Sequence, residues 1–251
     1  MRRRWLVASP LVLALSGCDQ VLGIESGTVS PWFCNANVAP PSGMTSYDFH
    51  LVNSQMQPIP LGTPLFCPNS GPPCASPSLL SLTSGTLDFT VPASDDGYID
   101  LPNPTDVSNL VELGPPGNVA PTERTFVVFK GTDVTTFASS VGITEDSTKG
   151  ALVVAAYDCN EMPADGVSIA VTVEGRPVMS SPYYLTSNLT AIPSATATSS
   201  AGLALVANVM PSDAATVTLT RASDQVVVAT APVHVRAQTI TSVYLGPTRT
   251  Q

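Results

Sequence analysis

Residues 165–173 read Asp-Gly-Val-Ser-Ile-Ala-Val-Thr-Val, and their pattern is the clearest indication of the fold class. Its large apolar residues occupy every second position, at Val167, Ile169, Val171 and Val173. Because successive side chains of a strand point to opposite faces, the alternation predicts a half-buried strand in an antiparallel sheet. The same alternation recurs in residues 46–53, 86–92 and 216–220. The chain is therefore predicted to be all-β.

The composition agrees with short strands joined by turns. Among 251 residues there are 24 Pro, and only 12% of residues are charged. So few charges argue against a coiled coil and against disorder driven by charge. The formal net charge of −9 makes nucleic acid an unfavourable partner. Two continuous apolar runs, residues 126–129 and 152–157, predict central strands.

One segment predicts a short helix. Thr132 can cap it and Gly142 can end it. Between them, Val134, Phe137 and Val141 form one apolar stripe at helical spacing. We therefore expect a helix and linker at 131–150 that separates two sandwiches.

The N-terminus has the pattern of an export signal. Residues 2–4 are all Arg, an apolar run follows at 5–15, and small residues precede Cys18. The run is too short to span a bilayer. Leu15-Ser16-Gly17-Cys18 resembles the lipobox of bacterial lipoproteins, which implies cleavage before Cys18 and lipidation (palmitate) of its thiol and amino group. The alternative is an ordinary signal peptide that happens to end in Cys.

These features predict five segments. They are a signal peptide at 1–17, a lipidated tether at 18–33, an N-terminal β-sandwich at 34–130, the helix and linker at 131–150, and a C-terminal β-sandwich at 151–251. The resulting location is the cell envelope, at the outer membrane or the periplasmic face of a membrane. The lipid on Cys18 would be the membrane contact.

Four cysteines follow the lipobox, and export would place them in an oxidising compartment. They allow three pairings. A turn-rich loop between Cys67 and Cys74 favours that pair, which leaves Cys34 with Cys159. Zinc binding is the alternative, but the spacings are irregular and the chain has two histidines, so no metal site is predicted.

The order of the predicted elements repeats along the chain. An opening strand at 46–53 leads through a Pro- and Gly-containing turn to 63–67, and residues 151–158 lead through a similar turn to 167–173. A later segment, 83–92, corresponds to 198–211. Two diverged copies of one domain explain this order.

The repeated order resembles the carboxypeptidase regulatory-like domain, and the C-terminal copy carries the resemblance best. Its matching segments are Asp165-Gly166-Val167 and Asn208-Val209-Met210-Pro211. The resemblance implies a transthyretin-like or Ig-like β-sandwich without catalytic activity. Three further segments are similar to uncharacterised lipoproteins of myxobacterial type: Cys18-Asp19-Gln20-Val21-Leu22-Gly23-Ile24-Glu25, Asp96-Gly97-Tyr98-Ile99 and Tyr157-Asp158-Cys159.

No motif for catalysis or for a cofactor stands out. His50 and His234 each lie on the polar side of an alternating strand, where solvent exposure is expected, and no Gly-x-Ser-x-Gly is present. We therefore predict that the chain is not an enzyme. Asp95, Asp96 and Asp100 have the oxygen density for calcium but not the spacing of an EF-hand, so a turn is expected.

Aromatic residues supply the one binding hypothesis. Tyr183 and Tyr184 follow a proline in an expected loop and are candidate ligand-binding residues. The sequence thus predicts a lipid-anchored, non-enzymatic structural or protein-binding module with an envelope protein as partner. A carbohydrate-binding surface lipoprotein, with a glycan as partner, is the alternative.

Overall fold

The computed structural model describes residues 32, 34, 43–59, 62–68, 74, 76–92, 97–103, 106–114 and 123–247. These contain sixteen strands and one helix. The strands of the first unit are β1 (Met44–Val52), β2 (Leu65–Pro68), β3 (Ser78–Leu79), β4 (Leu82–Thr83), β5 (Thr86–Pro92), β6 (Gly97–Leu101), β7 (Ser108–Glu112) and β8 (Glu123–Val127). The helix α1 (Gly131–Val141) follows. The strands of the second unit are β9 (Gly150–Ala156), β10 (Val167–Val173), β11 (Arg176–Pro177), β12 (Tyr183–Leu185), β13 (Leu203–Val209), β14 (Ser212–Arg221), β15 (Val227–Val235) and β16 (Thr239–Leu245).

The strands form three sheets. The first outer sheet has the order β4-β5-β1-β8, and the second outer sheet has the order β11-β10-β14-β15. Between them lies a central sheet of eight strands in the order β12-β13-β9-β16-β7-β6-β2-β3. The all-β prediction of two tandem sandwiches with one short helix between them is confirmed.

Strand order shows that the two units are copies of one topology. In the first unit β1 pairs antiparallel with β5 and parallel with β8, and in the second β9 pairs antiparallel with β13 and parallel with β16. The order β3-β2-β6-β7 of the first unit matches β11-β10-β14-β15 of the second. The repeat expected from the sequence is therefore present in the fold.

One glycine in each copy occupies the same structural position. The N–H of Leu51 donates to the carbonyl of Gly85, and the N–H of Ala156 donates to the carbonyl of Gly202, each at 2.7 Å. Both glycines have positive φ. A Cβ added to Gly202 would lie 2.5 Å from the carbonyl oxygen of Ala156, so only glycine fits there.

The two sandwiches are fused through the last strand. β16 pairs in parallel with β9 of its own unit and with β7 of the first unit, and so joins two four-stranded halves into the central sheet. Val243 and Leu245 of β16 belong to the core of the second unit, whereas Tyr244 packs against the core of the first. Because neighbouring residues of a strand face opposite ways, the two outer sheets cover opposite faces of the central sheet.

Each unit has its own apolar core. Phe49, Leu87 and Phe126 are among the fully buried side chains of the first core, and Leu152, Val217 and Leu219 are among those of the second. Burying an aliphatic or aromatic side chain of this size contributes about 1.5–3 kcal/mol. Alternating burial along β5 and β10 follows the alternation read in their sequences.

Residues 126–129 do not form a central strand as expected. The strand is β8, and it lies at the edge of the first outer sheet. Phe126 and Val128 are nevertheless buried, because this edge strand packs its inner face against the core. A short apolar run shows burial, but it does not show the position of a strand within its sheet.

The cysteine pairing is confirmed. Disulfides join Cys34 to Cys159 and Cys67 to Cys74. Cys67 is fully buried beside Tyr98 and Leu110. The Cys34–Cys159 bond holds the start of the described chain on the second unit, where Trp32 packs against the core. Trp32, near the end of the tether predicted at 18–33, therefore contacts the second unit.

Candidate functional site

A groove lies between α1 and the face of the central sheet that the second outer sheet does not cover. Its volume is about 870 Å³. Ala151, Leu205 and Ile240 form its floor, and Val134 and Phe137 of α1 form its roof. The groove exists because the outer sheets lie on opposite faces, so that among the described residues this half-face is covered by α1 and neighbouring loops and not by an outer sheet.

Polar contacts fix the N-terminal end of the helix, and a glycine ends it. Asp133 accepts a hydrogen bond from the backbone N–H of Lys130 at 2.9 Å, and its other oxygen accepts one from the hydroxyl of Ser54 at 3.0 Å. Gly142 ends the helix in the left-handed conformation, as expected. Thr132 was expected to be the N-cap, but Lys130 holds that position because the helix begins at Gly131.

The apolar stripe of the helix only partly reaches the sheet. Ala138 is the buried residue of α1, while Val134, Phe137 and Val141 are half-buried. The ring of Phe137 meets the ring of Tyr183 edge-on, with centroids 5.8 Å apart. Of these, Val134 and Phe137 line the groove and give it an apolar interior that remains accessible.

The rim of the groove is acidic. Asp106, Asp133, Glu145 and Asp146 line it together with Lys149. A hydrogen bond from the Thr148 hydroxyl, together with the backbone N–H of Thr148 and the ammonium of Lys149, lowers the pKa of Asp146 to about 2. Lys149 lies 3.1 Å from the carboxylate of Asp146. Lys149 thus offsets one of these carboxylates, and the rim keeps an acidic excess.

Asn208 fixes the loop that carries this rim. Its side-chain oxygen accepts from the N–H of Asp146 at 3.1 Å, and its amide donates to the carbonyl of Thr144 at 2.9 Å. Asn208 has positive φ and lies where the pairing of β13 with β9 shifts register. In the sequence Asn208 belongs to the segment Asn208-Val209-Met210-Pro211, and its positive φ at the bulge favours Asn because this residue tolerates the left-handed conformation.

The two tyrosines proposed as ligand-binding residues have different environments. Tyr184 is buried in the second core, and its hydroxyl accepts a hydrogen bond from the N–H of Ile169 at 3.1 Å. It is a core residue and not an exposed platform, which corrects the expectation. Tyr183 is half-buried against Phe137 beside the groove, and a ligand role for it remains a prediction.

Other candidate residues are placed as follows. Cys18, Asp95 and Asp96 lie outside the described residues. Asp100 is in β6, where its carboxylate accepts a hydrogen bond from Arg236 at 2.7 Å. Asp100 thus has a structural ion-pair partner in Arg236.

His234 is buried, contrary to the expected solvent exposure. Its backbone N–H donates to Oε1 of Glu112 at 2.7 Å, and its Nδ1 lies 3.0 Å from the same oxygen. β15 is the edge strand of the second outer sheet, so Glu112 of β7 covers an open backbone donor at that edge. Alternation along β15 could not reveal this contact, because the partner belongs to the other unit.

Arg124 is a second buried charged residue, and no pattern in the sequence indicates its burial. Burial lowers the pKa of its guanidinium, which stacks over the rings of Phe49, Phe126 and Tyr244 at 4.8–5.8 Å. Within the described residues, its Nε and Nη1 have no hydrogen-bond partner. Ring faces therefore supply part of the stabilisation that water would give.

The described residues include no helix that is both long and apolar enough to cross a membrane.

No protein-family model and no curated protein matches the chain. Among solved structures, a streptococcal ancillary pilin is 10% identical with a TM-score of 0.26, and the match covers 81% of this chain and 68% of the pilin. The Bacillus anthracis TIE protein is 12% identical with a TM-score of 0.27, and the match covers 81% of this chain but only 33% of that protein. A mutant shaft pilin of Lactobacillus rhamnosus GG is 10% identical with a TM-score of 0.26, at 82% and 98% coverage. The resemblance to carboxypeptidase regulatory-like domains stays a prediction.

Proposed function

We propose that this chain is a non-enzymatic protein of the cell envelope, anchored by lipid on Cys18, which binds a partner protein in the groove beneath α1. The lipobox and export pattern of residues 1–18 support the anchor. Two disulfides among the described residues are typical of proteins that fold in an oxidising compartment. The groove is the observation that carries the binding role.

The chemistry of the groove favours a polypeptide segment with apolar and basic side chains. Leu205 on the floor and Phe137 on the roof are half-buried and offer apolar surface to a bound side chain, while Ile240 is buried beneath them. The acidic rim and the net charge of −9 would attract a basic partner and would accelerate its association at low salt.

Blocking the floor tests this role. A photo-crosslinking residue in place of the exposed Thr136 on α1 is expected to trap a specific partner in cells, and Leu205→Arg should abolish the adduct. The half-buried Leu205 faces the groove, so a long cationic side chain would occupy it without entering the second core. The adduct should also weaken as salt rises.

A crosslinker at the exposed Thr230 of the second outer sheet is the matched control, and it should give no such adduct. The same adduct from both positions, or an adduct that survives Leu205→Arg, would show that the groove is not the binding site.

The anchor has its own test. Cys18→Ala is expected to release the protein into soluble fractions or to leave it as unprocessed precursor, because the acyl chains provide the membrane contact. Cell fractionation with an antibody to the chain gives the readout. Cys67→Ala/Cys74→Ala removes only the short disulfide, so this cysteine control should remain with the membrane. A Cys18→Ala protein that is cleaved normally yet stays on the membrane would refute the lipobox interpretation.

A glycan ligand is the second candidate, because half-buried Tyr183 lies beside the groove against Phe137. A glycan array probed with the full chain distinguishes the two: a signal that Tyr183→Ala removes would favour the glycan.

A further inference from the structure

The outer face of the first outer sheet brings three potential metal ligands together. Asp48 and His50 lie two residues apart on β1, so both side chains point to the same face. Glu123 of β8 is the register partner of Asp48 in the adjacent parallel strand. One ligand atom from each of the three side chains lies within 4.8 Å of the other two. Residues 48 and 123 are distant in sequence, so the constellation is visible only in the fold.

The imidazole of His50 is oriented toward this cluster. Its Nδ1 lies 3.2 Å from the hydroxyl of Thr86 on β5, and its Nε2 lies 3.7 Å from Oδ1 of Asp48. A hydrogen bond to one ring nitrogen commonly fixes a metal-binding histidine and leaves the other nitrogen for the metal. Thr86 is in the position to perform that role.

One carboxylate oxygen of Asp48 lacks a hydrogen-bond donor among the described residues. This atom, Oδ1, is also buried from solvent. Asp88 of β5 is the register partner of Asp48 on the side away from β8. Three carboxylates therefore form one row across three strands, an arrangement in which like charges destabilise one another. The ion pairs of the described chain join none of the three to a Lys or Arg.

We propose that Asp48, His50 and Glu123 form a zinc site with one nitrogen and two carboxylate ligands. An all-oxygen set would suit calcium or magnesium, whereas the imidazole selects a transition metal. Zinc bonds of about 2.0–2.2 Å place tetrahedral ligands about 3.3–3.6 Å apart. The His50–Asp48 separation of 3.7 Å is close to this value, and Glu123 is an exposed side chain that can rotate inward. Three protein ligands leave the fourth position for water or for a ligand from another molecule.

Calorimetric titration of the chelator-treated full chain with zinc chloride tests the site. One ion is expected to bind per chain, and magnesium should not compete. His50→Ala and Glu123→Gln should each weaken binding at least tenfold. Thr86→Val, which removes only the partner of Nδ1, should weaken it about 10–100-fold. Zinc should also raise the Tm of the wild-type chain but not that of His50→Ala.

Glu174→Gln on the second unit is the matched control, and it should bind zinc as the wild type does. Circular dichroism confirms that each variant is folded, and the exposed Glu123 gives a variant with an intact core if His50→Ala fails this check. Wild-type chain that binds no zinc at millimolar concentration would overturn the proposal. So would zinc affinity that is the same in the wild type, in His50→Ala and in Glu123→Gln.

Discussion

Replacing Glu112 by alanine is expected to lower the free energy of unfolding by about 3–5 kcal/mol, the range for removing one partner of a buried pair. Glu112 is 2% exposed, and one carboxylate oxygen accepts a hydrogen bond from the backbone N–H of His234 and lies 3.0 Å from its Nδ1. Alanine would leave both groups buried without their acceptor. For a chain of this size the loss corresponds to a fall in Tm of about 6–20 °C.

The loss of stability should be largest in the strands where the two units contact each other. Glu112 is on β7 and His234 on β15, and the neighbouring Arg236 donates to Asp100 and to the hydroxyl of Tyr98 on β6. Hydrogen exchange in Glu112→Ala should therefore increase in β15 and β16 more than in β1.

Two control variants test whether the loss of stability comes from the lost acceptor of Glu112. Glu112→Gln keeps one oxygen acceptor and should lose less stability than Glu112→Ala. Glu145→Ala removes an exposed carboxylate and should change Tm little. If Glu112→Ala melts within 2 °C of the wild type, the contact between Glu112 and His234 does not stabilise the association of the two units.

Local patterns predicted local structure well. The alternation of Val167–Val173 appears as the buried face of β10, and the turn-rich loop between Cys67 and Cys74 identified the short disulfide. These features depend on neighbouring residues, whose spacing the sequence displays directly. The repeat was visible for the same reason, since each copy keeps its order of strands and its turn glycine.

Contacts between the units were not predictable in this way. The pairing of β16 with β7 joins residues more than a hundred positions apart, and no periodicity records which edges meet. His234 was misplaced because alternation assigns a side chain to a face but does not show what covers that face. The groove was missed because its floor and roof come from different elements, α1 and the central sheet.

The residues of the candidate site show the same difference between local patterns and contacts of distant segments. Tyr184 was proposed as a platform because of its loop-like neighbours, yet it packs in the core of the second unit. Asn208 stabilises the groove rim from a bulge that only strand pairing reveals.

Removing the Cys34–Cys159 disulfide is the second change with a large expected effect. The bond joins residues 125 positions apart and so closes a loop that contains the whole first unit. In the chain-entropy model a loop of this length contributes about 5 kcal/mol, whereas the Cys67–Cys74 loop, with a separation of 7, contributes about 2.5 kcal/mol. Cys34→Ala/Cys159→Ala should therefore lower Tm more than Cys67→Ala/Cys74→Ala does.

Tryptophan fluorescence separates the two disulfides independently of Tm. Trp32 is one of two tryptophans, and the other, Trp5, falls in the predicted signal peptide. Trp32 lies two residues before Cys34 and packs against the second core, so loss of the Cys34–Cys159 bond should release it and shift its emission to longer wavelength. The loop that carries Cys159 should persist, because the side chain of Asp158 accepts hydrogen bonds from the N–H groups of Asn160 and Met162. Emission of the mature chain should not shift in Cys67→Ala/Cys74→Ala. A red shift in that control, or none in Cys34→Ala/Cys159→Ala, would mean that the long-range disulfide does not hold the tether end on the second unit.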